Sequence, residues 1–245
     1  MGALLASVPA MILAGGLGTR LRSVYADGPK TMAPVAGRPF LEYLLRDLKC
    51  AGILRVILCT GYKSSMIADW LGNGASFGLE VEYSAEPQPL GTGGAVRHAA
   101  CSVSGTDAFF LLNGDSLLQT DYESMYKHHF ATGAAITMGV CRVDDVARYG
   151  SVDMADDGRI LGFNEKAINS APRPGYINGG VYVVRTSILE SMPQGVLSLE
   201  REVFPVFMDK GIYGFKTAGG YFIDIGVPAD YERAQVMLGN RLGKE

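Results

Sequence analysis

Met11-Ile12-Leu13-Ala14-Gly15-Gly16-Leu17-Gly18-Thr19-Arg20-Leu21 is the stretch from which the rest of the chain is read. An apolar run stops abruptly at glycines, then a hydroxyl, then an arginine. A short apolar run of this kind predicts a buried strand. Glycines after it let the backbone turn sharply and bring its N–H groups against a ligand. Arg20 adds a permanently charged fork suited to phosphate oxygens. Gly28-Pro29-Lys30 then supplies a second cation, and Pro34 follows soon after. A glycine turn alone can serve shape only; with Arg20 and Lys30 aimed at one place, it reads as a polyanion site. It is neither of two commoner phosphate loops. There is no Gly-Lys-Ser/Thr, the spacing misses G-x-G-x-x-G, and no helix start is evident at Thr19.

The chain has 245 residues, 48% of them hydrophobic and 19% charged. That length suits one large α/β domain with a real core. The net charge of -3 offers no basic excess for a nucleic-acid backbone. Cys50, Cys59, Cys101 and Cys141 form no C-x-x-C pair and are expected to be buried free thiols in a reducing cytoplasm. His98, His128 and His129 lack metal-ligand spacing and are assigned no chemistry. The apolar start Met1 to Ser7 has no basic n-region, so no signal peptide is expected, and no apolar run reaches membrane-spanning length. A cytoplasmic protein without membrane or nucleic-acid partners is expected.

After Pro34, Leu41, Leu44, Leu45 and Leu48 follow helical spacing behind Pro39, and Gly52 ends the helix. Arg55 to Thr60 predicts a strand, Lys63 to Leu71 a helix, and Leu79 to Tyr83 an alternating strand. This β-α-β-α-β order implies a parallel sheet with helices on both faces. Ligands in such sheets sit beyond the carboxyl ends of strands. Leu90-Gly91-Thr92-Gly93-Gly94 lies there, before a helix expected over Ala95 to Ala100. Three glycines together predict backbone pressed close against something, since shape alone would explain one of them and not three. Phe109 to Leu112 is a fully apolar strand ending in Asn113-Gly114-Asp115. That carboxylate is either a cap or, in a polyanion site, a ligand for a hard cation.

A helix over Asp121 to Phe130 and a strand over Ala134 to Val143 follow. Asp156-Asp157-Gly158 signals a hairpin, and Asn169 to Gly175 a loop. Asn178-Gly179-Gly180 suits close packing, with an amide beside it able to bond hydroxyls. A helix over Leu199 to Met208, strands over Ile212 to Lys216 and Tyr221 to Ile225, and a helix from Pro228 to about Leu242 complete the expectation.

Leu13 to Leu21 followed by Pro29-Lys30-Thr31-Met32-Ala33-Pro34 resembles the signature of the sugar-1-phosphate nucleotidylyltransferases, the nucleoside-diphosphate-sugar pyrophosphorylases. Thr31 stands where that family often has proline. The resemblance spans nearly the whole chain, read as one domain over 1–245. It has a nucleotide-binding half at about 8–142, a sugar-binding half at about 143–245, and no stretch left for a C-terminal extension. It implies a three-layer Rossmann-like α/β fold with a mixed, mainly parallel sheet, of the nucleotide-diphospho-sugar transferase, GT-A-like kind.

It also implies site roles. Leu13, Ala14, Gly15, Gly16, Gly18, Thr19, Glu86, Gly91, Thr92, Gly93, Asn113 and Gly114 would hold the nucleotide. Arg20 would stabilise departing pyrophosphate, Lys30 would sit at the reacting phosphates, and Asp115 and Asp224 would hold Mg²⁺. Tyr149, Gly150, Glu165, Lys166, Asn178, Gly179 and Gly180 would take the sugar phosphate, with Lys166 steering the nucleophile.

The stretches Pro29 to Leu45 and Tyr221 to Tyr231 most resemble the guanylyltransferases of D-glycero-D-manno-heptose 1-phosphate, which serve surface polysaccharides such as capsule or S-layer glycan. The implied partners are GTP and a sugar 1-phosphate, in a monomer or homodimer. Mannose-1-phosphate guanylyltransferase is the alternative, ahead of glucose-1-phosphate uridylyl- or thymidylyltransferases. A non-catalytic nucleotide-sugar-binding paralogue would be expected to lose a cation or metal carboxylate. A glycosyltransferase usually shows Asp-x-Asp rather than Asn113-Gly114-Asp115. A dehydrogenase would need G-x-G-x-x-G and a ribose-binding acid.

Overall fold

A computed structural model describes residues 4–16, 18–149, 151–164, 172–217 and 219–242. Gly150, Glu165 and Lys166 of the expected site lie outside them. In chain order the strands are β1 Ala10–Leu13, β2 Pro34–Val35, β3 Arg38–Pro39, β4 Arg55–Thr60, β5 Glu80–Ala85, β6 Ala108–Asn113, β7 Ser116–Leu118, β8 Ile136–Val143, β9 Ser151–Met154, β10 Ile160–Asn164, β11 Gly175–Arg185, β12 Ile212–Lys216 and β13 Phe222–Asp224. The helices are α1 Phe40–Cys50, α2 Ser64–Leu71, α3 Gly91–His98, α4 Tyr122–Thr132, α5 Phe204–Phe207 and α6 Pro228–Leu242.

A seven-stranded sheet runs β12-β8-β11-β6-β1-β4-β5. Its pairs are parallel except where β11 meets β6 and β8, so one strand runs against the rest. Successive strand residues alternate between two cores. Ala10, Ile12, Val56, Leu58, Phe110 and Leu112 join the core that includes α1, α2, α4 and α6 residues. Met11, Ile57, Phe109 and Leu111 join the other, beside α3 and α5. A strand buried on both faces needs apolar residues at every position, which is why β1, β4 and β6 read as continuous apolar runs. In α1, Phe40, Leu41, Leu44, Leu45 and Leu48 all fall at 0% exposure. Trimming Leu44 to alanine there should cost about 2–5 kcal/mol.

Several expected boundaries move for local reasons. A short 3-10 turn does begin at Thr19, set up by Gly18 in the left-handed region at φ 58. Helix α3 begins at Gly91 rather than Ala95, so all three glycines lie in its first turns. The expected helix over Leu199 to Met208 is broken into a π-turn at Leu199–Val203, the short α5 and a 3-10 turn at Met208–Lys210. Pro205 has no N–H to continue an α-helical ladder from the preceding turn. Of the four thiols, Cys59 and Cys141 are buried but Cys50 and Cys101 are exposed, which corrects the expectation for those two. Cys50 closes a helix and Cys101 lies on a 3-10 turn, both at the surface.

Helix α4 is capped by Asp121, whose side chain accepts from Ser124 N at 3.0 Å and Ser124 Oγ at 2.7 Å. Those bonds hold the Asp121 carboxyl below its ordinary range. On the same helix His129 is fully buried, with Nδ1 2.9 Å from Thr137 Oγ1. Burial foremost, with Arg185 and His128 nearby, pushes the imidazole down to about 3. No helix among the described residues is long and apolar enough to cross a membrane.

Candidate active site

The carboxyl ends of β1 and β6 meet side by side, with Leu13 opposite Asn113 in the ladder. The chain leaves each strand through glycine. Gly114 donates its N–H to Leu13 O at 3.0 Å. A Cβ on Gly114 would collide with Leu13 O and come within 2.6 Å of Thr31 Cγ2, so only glycine fits this turn. The turn delivers Asp115 at the rim. Strand β13 then pairs antiparallel with β7, setting Asp224 opposite Ser116, and Ile225 N donates to Asp115 O at 3.0 Å. Two carboxylates far apart in sequence are thereby brought together by backbone pairing.

Lys30 stands against this pair. It follows Pro29 on the 3-10 turn Lys30–Met32, and its Nζ lies 2.6 Å from Asp115 Oδ2 with the lysine side chain 10% exposed. Asp224 Oδ1 accepts the N–H of Gly226. A Cβ on Gly226 would sit 2.7 Å from Asp224 Oδ1 and 3.1 Å from Lys30 Nζ, so that glycine makes room for both groups.

Two adjoining cavities open here. The first, about 340 Å³, is lined by Leu13, Ala14, Gly15, Gly16, Lys30, Glu86, Gly91, Thr92, Asn113, Gly114 and Asp115 among the expected residues, and by Thr31, Pro89, Ala95 and Glu200, which were not expected. The second, about 680 Å³, takes Arg20, Asn113, Asp115, Tyr149, Asn178 and Asp224, with the unexpected Ser116, Ser151, Phe163, Asn164, Glu200, Arg201 and Phe222. Asn113, Asp115 and Glu200 border both. Gly18, Thr19, Gly93, Gly179 and Gly180 line neither. Arg20 is exposed and faces the second cavity, not the one behind the glycine loop.

The glycines divide by what each faces. Gly16 is exposed and a Cβ there would meet nothing within 4 Å. Gly15, by contrast, would bring a Cβ within 2.5 Å of Glu86 Oε1, while the other oxygen of Glu86 accepts Leu90 N at 2.8 Å. The backbone at 91–94 is pressed close, as its three glycines predict, and what each missing Cβ makes room for is the chain itself, while Gly91 also lines the first cavity. A Cβ on Gly91 would strike Leu197 O, one on Gly93 would reach 2.7 Å from Val203 Cγ2, and one on Gly94 would reach 2.7 Å from Gly195 O. These glycines let the segment 195–203 press against α3. Gly93 N donates to Leu197 O at 2.8 Å, and Thr92 Oγ1 accepts Leu199 N at 2.8 Å.

Gly179 and Gly180 line neither cavity, and the space each leaves is taken by the chain itself. A Cβ on Gly179 would reach 2.9 Å from Gly139 O, and one on Gly180, at φ 73, would collide with Ser116 Oγ. They form an irregularity in β11 between Asn178 and Tyr182, where the register against β8 shifts. Gly180 N donates to Asn178 Oδ1 at 3.0 Å, and Asn178 Nδ2 donates to Tyr182 Oη at 2.7 Å. Burial raises the Tyr182 phenol well above its ordinary value, and the charges of Glu200 and Asp115 add to that. Tyr149 is braced by Arg233 Nη2, 3.0 Å from its hydroxyl, and by an edge-on contact with Phe222.

Buried polar atoms ordinarily find partners. Thr31 Oγ1, Asn113 Oδ1 and Ser116 Oγ are buried without a hydrogen-bond partner among the described residues, and all three residues border the cavities. They mark a surface built for a polar ligand. Among the described residues no three His, Cys, Asp or Glu side chains cluster as a metal cage. One pair of carboxylates beside an open cavity is the donor set of a hard cation whose remaining ligands are water and phosphate oxygens. No sequence signal pointed to Glu200 or Arg201, because a π-turn carries no regular period.

Comparison with known proteins gives one family. The nucleotidyl transferase model matches residues 9–240. D-glycero-alpha-D-manno-heptose 1-phosphate guanylyltransferase of Aneurinibacillus thermoaerophilus is 41% identical over 237 residues, 94% of this chain and 97% of that protein. Mannose-1-phosphate guanylyltransferase of Mycobacterium tuberculosis is 38% identical over 94% of this chain, which spans 64% of that longer relative. The crystal structure of HddC from Yersinia pseudotuberculosis, complexed with GMP-PN, superposes with TM-score 0.84 at 36% identity, covering 94% of this chain and 99% of that one.

Proposed function

Since the chain belongs to the nucleotidyl transferase family, we propose that it transfers GMP from GTP to D-glycero-α-D-manno-heptose 1-phosphate, giving GDP-heptose and pyrophosphate. The product would serve a surface polysaccharide, and the reaction would run in the cytoplasm where GTP is available. What supports the reading is one juxtaposition. The open Gly16 backbone, the Lys30 ammonium and the Asp115–Asp224 pair border two adjoining cavities, so two phosphate-bearing ligands could meet there. The guanylyltransferase relatives, on heptose and on mannose 1-phosphate, supply the substrate class.

A phosphate oxygen of the sugar 1-phosphate attacks the α-phosphorus of GTP; the new P–O bond forms as the bond to the β-phosphate oxygen breaks. The attacking oxygen is already ionised near neutral pH, so the obstacle is repulsion between two polyanions rather than a missing base. Positioning and electrostatics carry such transfers. Gly15 and Gly16 offer backbone donors without added charge. Lys30 neutralises the reacting phosphate, and Arg20 stands by for the leaving pyrophosphate. Tyr149 and Asn178 line the sugar side. Lys166, two residues after Asn164 in sequence, would steer the attacking phosphate. Asp115 and Asp224 would hold Mg²⁺. That ion supplies charge neutralisation on the phosphates.

A pyrophosphate-release assay with GTP, ATP, UTP and dTTP against heptose, mannose and glucose 1-phosphates tests the reading. Fastest turnover with GTP and heptose 1-phosphate is expected. Turnover with mannose 1-phosphate alone would transfer the assignment to the second reading, which the 38% identical relative favours. Release with no sugar phosphate of the panel would end the reading.

A further inference from the structure

The Lys30–Asp115 contact has a consequence for how metal enters the site. The Lys30 ammonium is 2.6 Å from Asp115 Oδ2 and only 10% exposed as a side chain. It also shares the small space at Gly226 with Asp224 Oδ1. The two carboxylates that would receive a divalent cation are therefore already faced by a lysine. Its charge cancels part of theirs, and a dication approaching the pair is repelled by it at short range. Lys30 also lines the first cavity together with Gly15 and Gly16, so a triphosphate in that cavity lies within reach of the same side chain. The lysine stem has four rotatable carbons and can turn from one partner to the other.

We infer that Lys30 is a counter-ion latch: it keeps the Asp115–Asp224 pair from divalent metal in the free protein and releases it when a triphosphate offers the ammonium a stronger partner. The inference rests on the nucleotide site proposed above and adds a coupling that Lys30 carries. Metal and nucleotide then strengthen each other's binding through one side chain, and by linkage the effect is reciprocal. This differs from a lysine that merely contacts phosphate. Removing a phosphate contact weakens nucleotide binding and leaves metal affinity of the free protein unchanged. Removing a latch raises that affinity.

The test reads binding rather than turnover. Mn²⁺ is titrated into the free protein and followed by its paramagnetic resonance, with and without a non-hydrolysable GTP analogue. For wild-type protein, Mn²⁺ is expected to bind weakly alone and tighten in the presence of the analogue. In Lys30→Met, Mn²⁺ affinity of the free protein should rise by about tenfold or more, and the analogue should improve it by a correspondingly smaller factor than in wild type, the part left being direct contact of the metal with phosphate oxygens. Lys127→Met, which removes an exposed helix-surface lysine paired with Glu123, should behave as wild type. Should Lys30→Met fail to fold by circular dichroism, Lys30→Gln serves the same comparison. Unchanged or weaker Mn²⁺ binding in the folded Lys30 variant overturns the latch. If the wild type still binds the analogue in that experiment, the nucleotide site stands and only the latch falls. Absence of analogue binding by wild-type protein ends both.

Discussion

Gly16→Ala separates a glycine kept for a ligand from one kept for the fold. Gly16 is exposed, its backbone lies outside the left-handed region, and a Cβ there would meet no atom within 4 Å. The folded protein therefore loses nothing by the extra methyl. The unfolded chain loses conformational freedom, so stability should hold or rise by about 0.4–1 kcal/mol. The bound state differs. A methyl on the loop that receives the triphosphate pushes phosphate oxygens off the backbone N–H groups. Losing one charge-assisted hydrogen bond costs about 1.5–3 kcal/mol. At about 1.4 kcal/mol per tenfold, that is roughly a 10- to 150-fold rise in the KM for GTP. Steady-state pyrophosphate release gives KM, calorimetry with a GTP analogue gives Kd, and differential scanning fluorimetry gives Tm. Gly114→Ala is the contrast, because its methyl collides with Leu13 O and should destabilise the fold by about 1–3 kcal/mol. An unchanged KM in Gly16→Ala, or a Tm loss as large as that of Gly114→Ala, refutes the assignment of the open loop face to the nucleotide.

Asp115→Ala, and Lys166→Ala on the sugar side, should each lower turnover by on the order of a hundredfold or more while near-ultraviolet circular dichroism stays native; a variant with full rate leaves the mechanism. Gly180→Ala places a side chain at φ 73 against Ser116 Oγ. It should cost about 2 kcal/mol or more in a urea melt, and a melt matching wild type contradicts the close contact. His129 is held neutral by burial, with its folded value near 3 against an ordinary 6.5. Below that ordinary value the unfolded chain binds a proton that the fold refuses, so stability falls as pH drops, by up to about 1.4 kcal/mol per unit between about 6.5 and 3. His129→Gln should flatten that slope in melts between about pH 6 and 4, and an identical slope would remove His129 as its source.

Most of the architecture was legible in the chain because periodicity is a local property. Leu41, Leu44, Leu45 and Leu48 do face one core, and β4 runs over Arg55–Thr60 as its composition indicates. The turn at Gly158 does join β9 to β10. The register of β11, alone in opposing the sheet, was not legible. Strand direction is decided by which neighbours a strand meets, and its own residues say little about that.

The order of residues is enough to specify the wound α/β sheet, the apolar strands that end in glycine, and the set of charged residues at those ends. Those follow from hydrophobic spacing and from the few residues able to turn a backbone sharply. What each glycine makes room for depends on how distant segments pack together. At Gly16 it is open space; at Gly91, Gly93 and Gly94 it is the segment around Leu197; at Gly180 it is Ser116. A missing Cβ is the same signal in every case, and the atom that needs the vacated volume arrives from elsewhere in the chain. The same holds for Asp115, Asp224 and Lys30, which backbone pairing between β7 and β13 and the packing of one turn bring together.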